Sequence, residues 1–245
     1  LGTYTSRVFM TASSGRATNS ILVAETGGAS DLFFGEFGEG NNWDKYVEIY
    51  NGTGGAIDLS QYLMASQTTP ADKYIKWANW SRLSATTFWL DHGQTLVILN
   101  GGLNGAVAGS DTVHSSMTNA MISANRSYLF SSNNVLNVGG DDPVALFRIS
   151  DTNNWVDVCG IGPSVDKYIM RRVEDADVPR SYPLQVATNQ WDYRDWDGDR
   201  PSGYTNFIAT AGVYDRNVGI GGYITFEVLD DDTNAPSAGP LTIMV

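Results

Sequence analysis

Residues 31–58 read DLFFGEFGEGNNWDKYVEIYNGTGGAID, and the reading of this stretch decides the fold. Leu32-Phe33-Phe34 is an apolar run of β-forming residues, broken by Gly35 and Gly38. Glu39-Gly40-Asn41-Asn42 is too polar and glycine-rich for a helix and reads as an acidic loop. Lys45 to Tyr50 then alternates, with Tyr46, Glu48 and Tyr50 on one face and Lys45, Val47 and Ile49 on the other. Asn51-Gly52 follows at once, a tight-turn signal because both residues tolerate positive φ. Ala56-Ile57-Asp58-Leu59 opens another strand, so the stretch reads strand, acidic loop, strand, turn, strand.

The same alternation recurs along the chain. Upstream, Thr3–Thr11 and Ile21–Glu25 are two short strand signals, and Thr26-Gly27-Gly28-Ala29-Ser30 reads as a linker. Downstream, strands are predicted at Leu63–Ala65, Tyr74–Trp77, Thr95–Asn100, Tyr128–Phe130, Val144–Ile149, Trp155–Ile161 and Tyr168–Val173, the last being the final strand of the main body. Residues 101–122 form either a long connection facing a partner or one short helix over Ser115–Ile122. Many short strands separated by Gly, Asn and Asp turns argue for an all-β sandwich. Val47, Ile49, Leu96, Ile98, Ala145 and Phe147 are the residues expected to point into it.

The order of short motifs resembles the lamin-tail domain, an immunoglobulin-like β-sandwich found in nuclear lamins and in many secreted bacterial proteins. The residues that carry the resemblance are Leu32–Glu36, Glu39-Gly40, Lys45–Gly54, Ile57–Ser60, Gly93–Ile98, Ala124–Ser127, Gly140–Phe147, Trp155–Gly160, Met170–Arg172 and the closing Trp191…Pro201-Ser202-Gly203…Asn206. It implies an immunoglobulin-like fold over residues 31–208, a structural or binding role, and no catalytic residue; the strand signals outside that range add strands at both termini. Residues 1–30 then supply N-terminal strands and a linker. Residues 209–245 supply C-terminal strands, which belong to a second small β unit or to an exchanged strand.

Composition narrows the partners. The net charge is −12, from 15 Lys+Arg against 27 Asp+Glu, which disfavours binding to nucleic acid or to an anionic membrane. It suits solubility, a cation or a basic partner. No run of 18 apolar residues occurs, so no membrane span is expected. The one cysteine, Cys159, lies in an apolar run and reads as an inert core residue. Asn51, Asn79 and Asn125 stand in N-x-S/T patterns of little weight in a chain this rich in Asn and Ser. The chain opens at Leu1 with no initiator Met and no signal peptide, as expected of a processed product or an excerpt of something longer.

Calcium is the best chemical expectation. Asp195, Asp197 and Asp199 in the run DWDGD are spaced so that a loop can converge hard oxygen ligands on one cation. The EF-hand pattern is incomplete, with Arg200 at the sixth position and Asn206 at the twelfth. Asp230–Asp232 and the trio Glu36, Glu39 and Asp44 are further candidates; the bland alternative for all of them is solvated turn carboxylates. Charge balance pairs Arg126 with Asp141 or Asp142. His92 and His114 are the only histidines, and no G-x-S-x-G, CxxC or HExxH pattern accompanies them. The expectation is a non-enzyme.

Three functions are in view. The first is an extracellular structural or assembly module, self-associating into a filament or surface layer. The second is a carbohydrate- or protein-binding module of a larger secreted hydrolase. The third is an enzyme, which a clustered His–carboxylate pocket would favour. Trp77, Trp80 and Trp89 sit at strand spacing and read as core rather than as a ligand platform, whereas exposure of Trp43 and Trp196 on one face would favour sugar stacking. The ends bear on assembly. Tyr223–Leu229 and Leu241–Val245 are apolar β runs around the break Asp230–Pro236. Either they pair with the N-terminal strands in a small second sheet within one chain, or a terminal strand completes a neighbour's sheet. A head-to-tail contact of the second kind does not close and produces a filament.

Overall fold

The computed structural model describes residues 6–8, 17–22, 29–40, 43–67, 76–104, 112–139, 142–160, 167–173, 191–196, 205–213, 223–228 and 241–243. In chain order the first strands are β1 (Ser6–Val8), β2 (Ala17–Leu22), β3 (Phe33–Glu39), β4 (Lys45–Tyr50), β5 (Ile57–Asp58), β6 (Tyr62–Ser66), β7 (Ala78–Arg82), β8 (Trp89–Leu90) and β9 (Thr95–Leu99). Helix α1 (Ser115–Ser123) follows, then β10 (Tyr128–Phe130), β11 (Val144–Arg148), β12 (Asp151–Cys159), β13 (Tyr168–Arg172) and β14 (Trp191–Asp195). Helix α2 (Thr205–Thr210), β15 (Tyr223–Val228) and β16 (Leu241–Ile243) complete the order. The chain forms two units, Glu25–Ile220 and a smaller one made of Leu1–Ala24 with Gly221–Val245.

The larger unit is a sandwich of a six-stranded sheet, β10-β9-β4-β3-β13-β14, and a four-stranded sheet, β12-β11-β6-β7. Neighbours are antiparallel except β10, which runs parallel to β9. This is the all-β sandwich expected from the alternation, in the immunoglobulin-like form that the lamin-tail resemblance implies. The core between the sheets takes Val47 and Ile49 from β4, Leu96 and Ile98 from β9, and Met170 from β13.

The six-stranded sheet is covered on both faces, and its sequence shows why. A strand buried on both sides reads as a continuous apolar run, and Leu96–Leu99 of β9 is one. Leu96 and Ile98 face the second sheet, while Val97 and Leu99 face a separate cluster with Met117 and Met121 of α1 and Phe207 of α2. Helix α1 realises the helical option for residues 101–122. His114 caps it, its ring Nδ1 accepting from Ser116 N–H. Neither α2 nor strand β14 was among the expected elements.

Several local readings change. Strand β3 runs through both glycines, and Glu39 is its last residue rather than part of a loop. A Cβ on Gly38 would lie 1.9 Å from the Tyr46 ring, so the position admits only glycine. Between Phe34 and Glu36 the register against β4 shifts, leaving Gly35 as an extra residue. The bulge reverses the face parity, so Phe34 and Phe37 both enter the inter-sheet core. The Asn51-Gly52 turn does not fold the chain back on β4; β5 pairs with β8, and β4 pairs with β9 and β3. Asn51 acts there through its side chain, donating to Gly55 O and Leu90 O, and the positive φ falls on Gly54. Being fully buried, Asn51 is no glycan acceptor.

The expectation that Ala145 and Phe147 point into the sandwich is overturned. Val144 and Leu146 point inward, and Ala145 and Phe147 lie on the outer face of the four-stranded sheet with Ala65 and Val158. That face is apolar too, because Trp77, Trp80 and Trp155 pack on it. With both faces of β11 buried, alternation could not say which was the inner one.

In the smaller unit β1 pairs antiparallel with β16, Ser6 opposite Ile243, and β2 pairs antiparallel with β15, Ala17 opposite Val228. Each described strand of the N-terminal arm thus pairs with a strand of the C-terminal arm of the same chain.

Candidate functional site

The expected calcium ligands are not brought together by anything described. Asp195 ends β14, opposite Tyr168 of β13, and its side chain, Asp197 and Asp199 lie outside the described residues, as does Asp230–Asp232. Among the described residues no group of three His, Cys, Asp or Glu side chains is placed to hold a metal ion. Glu36, Glu39 and Asp44 are not a cation loop. Glu39 accepts from Lys45 Nζ at 2.7 Å, Asp44 accepts from His114 N–H at 2.7 Å, and Glu36 belongs to the cluster described next. All three are buried.

The most unusual chemistry lies on the helix-covered face of the six-stranded sheet. Glu36 and Glu48 stand directly opposite each other on β3 and β4, both completely buried. Like charges placed so repel one another, and burial disfavours either charge. Glu36 accepts from the Tyr46 hydroxyl, from Arg171 Nη1 at 3.1 Å and from Thr210 Oγ1 at 3.0 Å. Glu48 accepts through Oε2 from Gly212 N–H, while its Oε1 has no hydrogen-bond partner. Burial raises the Glu36 carboxyl above its ordinary range, and the bonds from Tyr46, Arg171 and Thr210 pull it partly back. Burial, with Glu36 beside it, pushes Glu48 up to about 8, against the opposing pull of Gly212 N–H, Arg171 and Val213 N–H. The Tyr46 phenol is pushed well above its ordinary value by burial and by Glu36.

The polar groups of this cluster converge on the closing turn of α2. Arg171 donates to Thr210 O and Val213 O, at 3.3 and 3.2 Å. Arg126 donates from Nη1 to Ile208 O and Ala211 O. Two guanidinium groups therefore bond carbonyls of the last turn of the helix and of the residues just after it. Of the two partners expected for Arg126, Asp142 instead accepts from Gly139 N–H, and Asp141 lies outside the described residues. Phe207 packs edge-on to Tyr46, with ring centres 4.8 Å apart, and stacks at 6.4 Å on Trp196.

A second buried pair ties the two sheets together. Arg172 Nη2 meets Asp157 Oδ2 at 2.6 Å, with both side chains at most 2% exposed. Around the bulge, Phe34 N–H donates to Asp157 and Phe34 C=O accepts from Arg172 Nε, each at 2.8 Å. The guanidinium lies 4.3 Å from the Trp191 ring centre. Burial pushes the Asp157 carboxyl up, and Arg172 beside it pulls it back.

The remaining candidates have structural roles. His92 Nδ1 accepts from Gly54 N–H in a turn, and His114 caps α1. Cys159 is buried, as expected. Trp196 is only 6% exposed, within the cluster beneath the helices, so it offers no sugar platform; Trp43 is half-buried. The aromatics that do assemble on one face are Trp77, Trp80 and Trp155, each half-buried. Trp77 stands edge-on to Phe147 at 5.5 Å and to Trp155 at 5.9 Å.

None of these clusters joins a nucleophile to a base in an open cleft. The carboxylates are sealed under α2, and the Arg172–Asp157 pair is locked between sheets. No helix among the described residues is long and apolar enough to cross a membrane. No curated protein matches the chain. The lamin tail domain family model matches residues 25–163, more than half of the chain, from just before β3 to just after β12. With its immunoglobulin-like sandwich and the motifs of β3, β4, β9 and β11 in order, the chain belongs to the lamin tail domain family.

Proposed function

We propose that this chain is a non-catalytic, extracellular structural module that joins copies of itself by exchanging terminal strands. The observation that carries the reading is the pairing of the two ends. Every described strand pair of the smaller unit, β1 with β16 and β2 with β15, runs between the N-terminal arm and the C-terminal arm. A unit made of two such halves keeps the same ladder bonds when the halves come from neighbouring chains, which is the condition for domain swapping. The family, one of immunoglobulin-like structural and binding domains, supports the non-catalytic part, and the extracellular part rests on the resemblance of the motifs to those of secreted bacterial modules. Deleting Leu241–Val245 tests it. An oligomer is expected to fall apart into folded monomers, read by light scattering and circular dichroism. An unchanged mass, or unfolding of a chain that was already monomeric, overturns the reading.

A second reading, a carbohydrate-binding module of a larger secreted hydrolase, is favoured by the aromatic face of Trp77, Trp80 and Trp155 and by Trp89, which is 60% exposed. On that reading, Trp155→Ala lowers retention on insoluble polysaccharide at least tenfold, a loss of stacking worth over about 1.4 kcal/mol. Equal retention of variant and parent removes it.

A further inference from the structure

We propose that Glu36 and Glu48 form a proton-operated latch that holds residues 205–213 on the six-stranded sheet and loosens as the pH rises. Three observations carry it. The two carboxylates face each other across β3 and β4 in full burial. Both reach the same docked segment, Glu36 through Thr210 Oγ1 and Glu48 through Gly212 N–H. Glu48 Oε1, buried and without a hydrogen-bond partner, is the atom on which a proton resolves the repulsion between the carboxylates.

The charged and titratable groups around Glu48 leave it in this role. From β3 comes Glu36, from β4 the Tyr46 hydroxyl, and from β13 Arg171, already bonded to Glu36. On β9 the residue opposite is Val97. The turn after α2 contributes backbone N–H groups and the Thr210 hydroxyl, and Arg126 is committed to the carbonyls of Ile208 and Ala211. Arg171 is the cation whose charge acts on both carboxylates, and between the three groups one negative charge is in excess unless a proton is held.

The sign follows from linkage. Glu48 keeps its proton up to about pH 8 while the segment is docked. Exposed to water, it releases that proton near the ordinary glutamate value of about 4.3. Opening therefore releases a proton between these limits, and the fraction open rises about tenfold per pH unit until it levels off above Glu48's own titration. Loosening exposes Phe207 and the Tyr46 and Trp196 rings it covers. The latch does not depend on the proposed assembly.

Amide hydrogen exchange of the full chain between pH 6 and 9, corrected for intrinsic rates, tests it. Protection of residues 205–213 should lie below that of Thr95–Leu99 in β9 and fall roughly a hundredfold from pH 6 to 8. Glu48→Gln, which keeps a neutral group at that position, should flatten the profile. Glu36→Gln, which removes the opposing carboxylate, should move it to lower pH. Protection of 205–213 equal to that of β9 at every pH means that the segment opens only with the whole domain, and the proposal fails. A flat wild-type profile, or a Glu48→Gln profile as steep as the wild type's, overturns it equally.

Discussion

Replacing Arg172 by leucine should destabilise the sandwich by about 3–5 kcal/mol, the cost of leaving one partner of a buried ion pair unpaired. The substitution strands Asp157, fully buried on the other sheet, and removes the donor to Phe34 C=O at the bulge. It also removes the guanidinium lying over Trp191. A guanidinium chloride melt at pH 7 reads the loss as a lower midpoint with an unchanged slope. Without Arg172, only the Phe34 and Val158 N–H groups still oppose burial at Asp157, and its folded-state titration moves higher still. A carboxyl raised in the folded state contributes stability below its unfolded value, and that stability is lost as the pH rises through the folded one. The variant's deficit should therefore be smaller near pH 4 than at pH 7. A double variant, Arg172→Leu with Asp157→Leu, should recover much of the loss, since an apolar pair can replace a buried salt bridge at little cost. A loss under about 1 kcal/mol for the single variant would mean that water reaches Asp157, as at a surface ion pair.

Ile49→Ala should cost about 2–5 kcal/mol through the cavity it leaves. Ile49 is fully buried on β4, in register with Leu96 of β9 and Phe34 of β3, in the core between the sheets. Its neighbours come from a strand paired on both sides, so the backbone has little freedom to collapse into the space. A denaturant melt with a change near zero would mean that the β4 register is wrong by one residue, which would turn Ile49 to the helix side.

The two variants probe different levels of legibility. Ile49 could be assigned to the core from six residues of sequence, because KYVEIY alternates and the strand period is two. Arg172 could not be assigned. It reads as one half of a basic Arg171-Arg172 pair, and its partner Asp157 is 15 residues away on another sheet. The same limit hid the latch. Glu36 and Glu48 are polar residues in alternating strands, a pattern that ordinarily marks a solvent face. What buries them is α2, whose Thr210 is 174 residues from Glu36 and whose flanking Gly212 is 164 from Glu48. One local signal was present: β9 is apolar at four successive positions, Leu96–Leu99, which marks a strand covered on both faces. Read together with the polar face of neighbouring β4, it announces a buried polar cluster.

Backbone-local properties were determined by the sequence alone. The strand period, the glycine and asparagine breaks and the order of motifs sufficed for an all-β lamin tail domain. Each depends only on what a residue and its near neighbours permit the chain to do. Tertiary structure decided everything that depends on which remote segment covers a face. It turned Val144 and Leu146, rather than Ala145 and Phe147, toward the core. It buried Trp196 under the helices, sealed Glu36 and Glu48 beneath α2, and gave the C-terminal strands β15 and β16 partners in β2 and β1. The physical reason is that a face is apolar or polar by sequence but inside or outside only by what packs on it, and that packing is set by contacts across more than a hundred residues of chain.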